Sequence, residues 1–222
     1  VFVIIADQID SRHDDDRVAD ALSALQERYG DRLALPPERT AGDELQLLTA
    51  DAATALDAAL QLLREEHWRV GIGLGPVRTP LPDSVREARG PAFVAARGAI
   101  EAAERRATRC ALRGPEIDDE RTADLGALID LMLTQRARWS EQGWELHDLL
   151  EEGDTQADAA ERIGISPQAA SKRARAAGLR LDADARGALA RLLADLDRRH
   201  GGDAGDGGRA SADDDHTTEE PA

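Results

Sequence analysis

Three acidic residues stand where short apolar, β-forming runs end. Asp7 follows the run VFVIIA, and Asp43 and Glu44 sit in the turn between LALPPERT and LQLLT. Carboxylates brought to one point repel one another unless a proton or a divalent cation lies between them. Oxygen-only ligation favours Mg²⁺ or Mn²⁺, and two such ions about 4 Å apart can drive phosphoryl transfer. On their own, the same residues also fit an ordinary turn and a strand-end cap. Arg97, in the alanine-rich stretch PAFVAARGAIEAAERR, suits either a phosphate or an ion pair on a helix face.

A second constellation lies in TQADAAERIGISPQAASKRARAAGL, residues 155–179. Thr155 can cap a first helix and Gly164 can end it. Ser166 then caps a second helix, which starts with Pro167 where no amide donor is needed. This spacing predicts a helix-turn-helix. Gln168, Ser171, Lys172 and Arg175 fall at i, i+3, i+4 and i+7 on one face of the second helix, while Ala170, Ala174 and Ala177 form another. Gln and Arg can read adenine and guanine edges in a major groove, and Lys172, Arg173 and Arg180 suit phosphates. The expected partner is double-stranded DNA. The competing reading is the solvated face of an alanine-rich hairpin.

The elements that would position these residues follow from periodicity. Residues 1–6 read as a buried strand, and the segment from Val18 to Gly30 as a helix. Two short strands surround the turn at 41–43, the first weakened by Pro36 and Pro37 and so placed at an edge. A helix capped by Asp51 and the strand WRVGIGLGPV come next, and the glycines of that strand ask for close approach or curvature. This order predicts an α+β protein. A ferredoxin-like βαββαβ domain spans residues 1–120, and an all-α domain with the helix-turn-helix spans 121–200. An acidic tail at 201–222, rich in Gly, Asp and Ala, is expected to be disordered.

Composition limits the partners. With 28 basic and 44 acidic residues the chain carries a net charge of −16, so contact with nucleic acid must be local. Between Ser166 and Arg180 the charged residues are Lys172, Arg173, Arg175 and Arg180, with no acid among them. Cys110 is the one cysteine, which excludes an internal disulfide and a multi-cysteine zinc cage. The five histidines have no metal spacing, and GIGLGPV lacks the Gly-Lys-Ser or Gly-Lys-Thr of a phosphate loop. No apolar run reaches the roughly twenty residues of a membrane span, and VFVIIA is too short for a signal-peptide core. A cytoplasmic location without membrane contact is expected.

Four ordered motifs carry a resemblance: ADQIDSR at 6–12, TAGDELQLL at 40–48, RVGIGLG at 69–75 and ARGPAFVAAR at 88–97. They resemble the successive motifs of the SatD family, many members of which carry a carboxyl-terminal helix-turn-helix. More distantly, they are similar to the palm of diguanylate cyclases and class III nucleotide cyclases. The cyclase resemblance implies a metal site at Asp7, Asp43 and Glu44 and a phosphate-binding, catalytic role for Arg97. The pattern departs from class III cyclases at Phe93, where an Asn precedes the Arg by one helical turn, and no lysine occurs before Lys172.

The expected function is a homodimeric DNA-binding regulator whose cyclase-like domain senses a nucleotide or a metal, or mediates oligomerisation. Helices near 122–141 and 183–199 are available to pair. The alternatives are a Mg²⁺- or Mn²⁺-dependent nucleotidyl transferase or cyclase, and a non-catalytic scaffold.

Overall fold

The computed structural model describes residues 1–11, 13–116 and 119–202. Arg12 and most of the expected acidic tail, residues 203–222, lie outside the described residues; Gly201 and Gly202 end a helix.

The amino-terminal run becomes strand β1, Phe2–Gln8, in which Phe2, Val3, Ile4 and Ala6 have no solvent exposure and Ile5 has 2%. A strand apolar at every position from Phe2 to Ala6 must be covered on both faces there, and this one is. After β1 the chain forms α1 (Val18–Tyr29), β2 (Leu35–Ala41), β3 (Glu44–Thr49), α2 (Ala52–Arg64) and β4 (Trp68–Leu74). Then come α3 (Pro91–Ala103) and β5 (Cys110–Arg113). The five strands form one sheet in the order β2-β3-β1-β4-β5, antiparallel except for the parallel β4–β5 pair. The Pro36–Pro37 strand lies at an edge and its register slips between Leu35 and Glu38, where the prolines lack amide donors, and again between Arg39 and Ala41.

Helices α1 and α2 cover the face that presents Phe2, Ile4, Leu45, Leu47 and Ile72, and α3 covers the face of Val3, Ile5 and Leu48. Asp51 starts α2 by accepting from the amides of Ala53 and Thr54. The glycines of β4 do what their spacing asks. A β-carbon on Gly71 or Gly73 would run into the backbone of Ile100 or Ala96, so their absence of side chain lets α3 lie directly on the sheet. Cys110 is buried in β5, and burial pushes its thiol pKa up to about 12, which leaves it inert.

From here the chain is helical: α4 (Glu120–Arg136), α5 (Glu141–Glu151), α6 (Gln156–Arg162), α7 (Pro167–Ala177) and α8 (Leu179–Gly202). Two of these helices return to the large core. Leu125, Ile129 and Met132 of α4 and Leu189, Leu193 and Leu196 of α8 join the same apolar cluster as α1, α2 and one face of the sheet. The smaller cluster is built from Trp139 together with α5, α6, α7 and Leu179. The leucines of α8 repeat at helical spacing on the side that meets α2 and α4, which brings α4 and α8 onto the core of the sheet.

A charged layer joins the two clusters. Arg64 of α2 donates twice to Asp148 of α5, at 2.7 and 2.8 Å, and its guanidinium lies 4.3 Å from the ring centre of Trp144. Arg186 of α8 donates to both oxygens of Glu151. None of the described helices is long and apolar enough to cross a membrane.

Candidate functional site

Strand register places the expected acids. Asp7 pairs across to Glu44 on β3 and to Arg69 on β4, so these three residues share the α3 face of the sheet at one end. Asp43 sits in the preceding turn, and its carbonyl accepts from the amide of Gln8 at 3.1 Å. The sequence expectation thus brings Asp7, Asp43 and Glu44 to one edge of the fold.

Each carboxylate there already has a partner. Arg97 donates to Oε2 and Oε1 of Glu44 at 2.5 and 2.9 Å, and Thr40 donates to Oε1 at 2.5 Å. Arg69 donates to Asp7 at 3.0 Å, and the Ser11 hydroxyl donates to Asp43 at 2.5 Å. Burial, and then the charge of Asp43, raise the Asp7 pKa above its ordinary value against the pull of Arg69. Hydrogen bonding to Glu44 raises the pKa of Arg97 and holds it charged. Among the described residues, no group of three or more His, Cys, Asp or Glu side chains is placed to hold a metal ion. The geometry is two acid–arginine pairs beside a third acid.

Arg97 was legible from its motif, but its tie to Glu44 was not. Arg69, Thr40 and Ser11 also carry the site. Arg69 could have been found from strand alternation, since it follows Trp68, which turns to the opposite face into the large core.

In the second constellation the helix caps and ends fall at the residues whose types suit them. Thr155 and Asp158 cap α6 reciprocally, and Ser166 caps α7 by accepting from Ala169. Gly164 and Gly178 take φ of 69° and 68°, closing the two helices in turn. Ala170, Ala174 and Ala177 are buried, and the β-carbon of Ala177 lies against Gly143 of α5. Gln168, Lys172 and Arg175 are exposed and Ser171 half-buried on the outward face. Arg180 is also exposed, but it belongs to the first turn of α8 rather than to α7. Arg173, expected at a phosphate, reaches Glu145 at 3.4 Å and is half-buried. Lys172, Arg175 and Arg180 have no carboxylate within 4.0 Å among the described residues.

No curated protein and no solved structure matches the chain. A family model described as the SatD family matches residues 2–193, from the first strand through most of the last helix. With both constellations inside that match, the chain belongs to the SatD family.

Proposed function

We propose that this chain is a DNA-binding regulator in which α6 and α7 act as a helix-turn-helix and the sheet domain receives a signal. The observation that carries the reading is the outward face of α7. Gln168, Ser171, Lys172 and Arg175 stand there free of acidic partners, in a chain of net charge −16. Local positive charge on a strongly acidic protein resists intramolecular neutralisation only when it is held away from the acids, as a capped helix on a small apolar core holds it. The alternating strands β2-β3-β1-β4 support reading the larger part as a ferredoxin-like βαββαβ unit, akin to the palm of nucleotide cyclases, with β5 appended.

One helix-turn-helix binds weakly, so a homodimer on a two-fold site is part of the proposal. Its support is a row of exposed leucines on α4 and α8: Leu128, Leu131, Leu181 and Leu192, with Leu181 72% exposed. They flank an apolar groove of about 350 Å³ that reaches Gly178 at the end of α7. A contact there would set the spacing of two recognition helices.

The engagement of Glu44 by Arg97 favours a binding role for the sheet domain over metal-dependent phosphoryl transfer. The test is recovery of bound fragments from genomic DNA, followed by affinity measurements on them at several salt concentrations. Lys172→Ala combined with Arg175→Ala should weaken binding and flatten the logarithmic salt dependence by about 2. Unchanged affinity and slope would overturn the reading.

A further inference from the structure

The α3 face of the sheet carries a cavity that adjoins the carboxylate edge, with Thr40 and Arg97 common to both. It holds about 680 Å³, a size that suits a small organic ligand. Its floor is Ile5 and Gln46, which face each other across β1 and β3 and are 2% and 6% exposed. Phe93 of α3 forms a wall, and Arg86, Arg89 and Arg97 line the opening.

Gln46 stands out. The residue is 6% exposed overall, and it lines the cavity between β1 and α3. A carboxamide in a cavity lining offers a ligand both a donor and an acceptor.

The rim has its own imbalance. The guanidinium of Arg89 donates to the carbonyls of Arg86 and Ala88, at 2.7 and 2.8 Å, which fixes its position without neutralising its charge. Arg86 is exposed, and its guanidinium has no carboxylate within 4.0 Å among the described residues. The segment carrying both is anchored by Glu38, which accepts from the Ser84 hydroxyl at 2.5 Å and from the Arg86 amide at 3.4 Å. The acid on the rim, Glu101, lies one helical turn from Arg97 and adds to its charge stabilisation. Two guanidiniums are thus left over in a chain with an excess of acids.

We infer that this cavity binds a mononucleotide. An apolar floor and an aromatic wall accept a planar base, the Gln46 amide reads its edge, and Arg86 and Arg89 hold the phosphate in the paired geometry that guanidinium favours. Binding at this site stands without DNA; only its use as the regulator's signal rests on the function proposed above.

The test is calorimetric titration of the full chain, in a chelator so that no divalent cation contributes. The probes are adenosine and guanosine mono-, di- and triphosphates, with the unphosphorylated nucleosides, ribose 5-phosphate and inorganic phosphate as controls. At least one nucleotide should bind and exceed its nucleoside and both phosphate controls by tenfold or more. Gln46→Leu and the double variant Arg86→Ala, Arg89→Ala should each weaken it by tenfold or more. Circular dichroism checks that Gln46→Leu is folded, and the exposed arginine pair supplies a variant that leaves the core untouched. No nucleotide binding, binding no tighter than that of inorganic phosphate, or binding indifferent to the arginine pair would overturn the inference. Nucleotide binding retained in the Lys172→Ala, Arg175→Ala variant separates this site from the DNA reading, so either can fail alone.

Discussion

Arg136 and Asp182 form a buried, two-pronged ion pair across 46 residues of sequence, with nitrogen–oxygen distances of 2.7 and 2.6 Å. Their side chains are only 7% and 6% exposed. Arg136 ends α4 and Asp182 lies in the first turn of α8, where a carboxylate also meets the favourable end of the helix dipole. The guanidinium stands 5.3 Å from the Trp139 ring centre, so the pair joins the large core to the small helical one.

Removing one partner strands a buried charge. Asp182→Ala should therefore lower stability by about 3–5 kcal/mol, whereas replacing both residues, Arg136→Met with Asp182→Leu, should cost much less. Urea denaturation of the two variants measures this, and equal losses in the single and double variants would contradict it.

Gly73 has no room for a methyl group. A β-carbon there meets backbone atoms of Ala92 and Ala96 rather than a flexible side-chain tip, so α3 would have to lift from the sheet. Gly73→Ala should destabilise by about 1–3 kcal/mol or more in thermal or chemical unfolding. The same substitution at exposed Gly153, whose β-carbon meets nothing within 4 Å, isolates the effect of backbone conformation alone.

Acidification should loosen the joint between the two cores. His147 packs against Trp139 and Trp144, its Nε2 is buried without a partner among the described residues, and Nδ1 lies 3.2 Å from Asp148. Burial lowers its pKa below the ordinary 6.5, with the charge of Arg136 adding to this and Asp148 and Glu151 opposing it. The unfolded chain then binds the proton more readily than the folded one. Stability is present above pH 6.5 and is lost as pH falls toward the folded pKa. Unfolding free energy measured from about pH 7 down to pH 5 should decline, and His147→Gln should flatten that decline.

Asp7 is held in an unfavourable state of charge by burial and by Asp43. Asp7→Asn removes the charge and leaves the shape, so it should raise the melting temperature by about 2 °C while disturbing whatever the edge binds. A melting temperature that falls instead would mean that the ion pair with Arg69 outweighs the burial.

The leucine groove makes a separate demand. Leu131→Asp and Leu181→Asp place charges on residues that are 66% and 72% exposed, and so spare the core. Light scattering after size exclusion should show a dimer for the parent and monomers for both variants, with unchanged helix content. A monomeric parent would remove the dimer from the proposed function.

Local features were legible without a structure because their causes are local. Ser166–Pro167 and Thr155 with Asp158 cap helices through residues three positions away, and the alternation of alanines with Lys172 and Arg175 sets which face of α7 turns inward. The uninterrupted apolar run of β1 announced a strand covered on both sides, and Pro36–Pro37 announced an edge. The pairings that define the sites could not be read this way. Glu44 meets Arg97 at a separation of 53 residues, and Asp7 meets Arg69 at 62. Whether three acids form a cage or separate into ion pairs depends on which arginines the packing of α3 and β4 delivers to them. In the same way, local periodicity predicted the helix of α8, but only tertiary packing returned it to α2 and α4, enclosed Arg136 with Asp182, and left Gln46 at the floor of a cavity rimmed by arginines. Sequence spacing determined the elements and their faces; burial and long-range charge pairing, which depend on the assembled fold, decided what those faces meet.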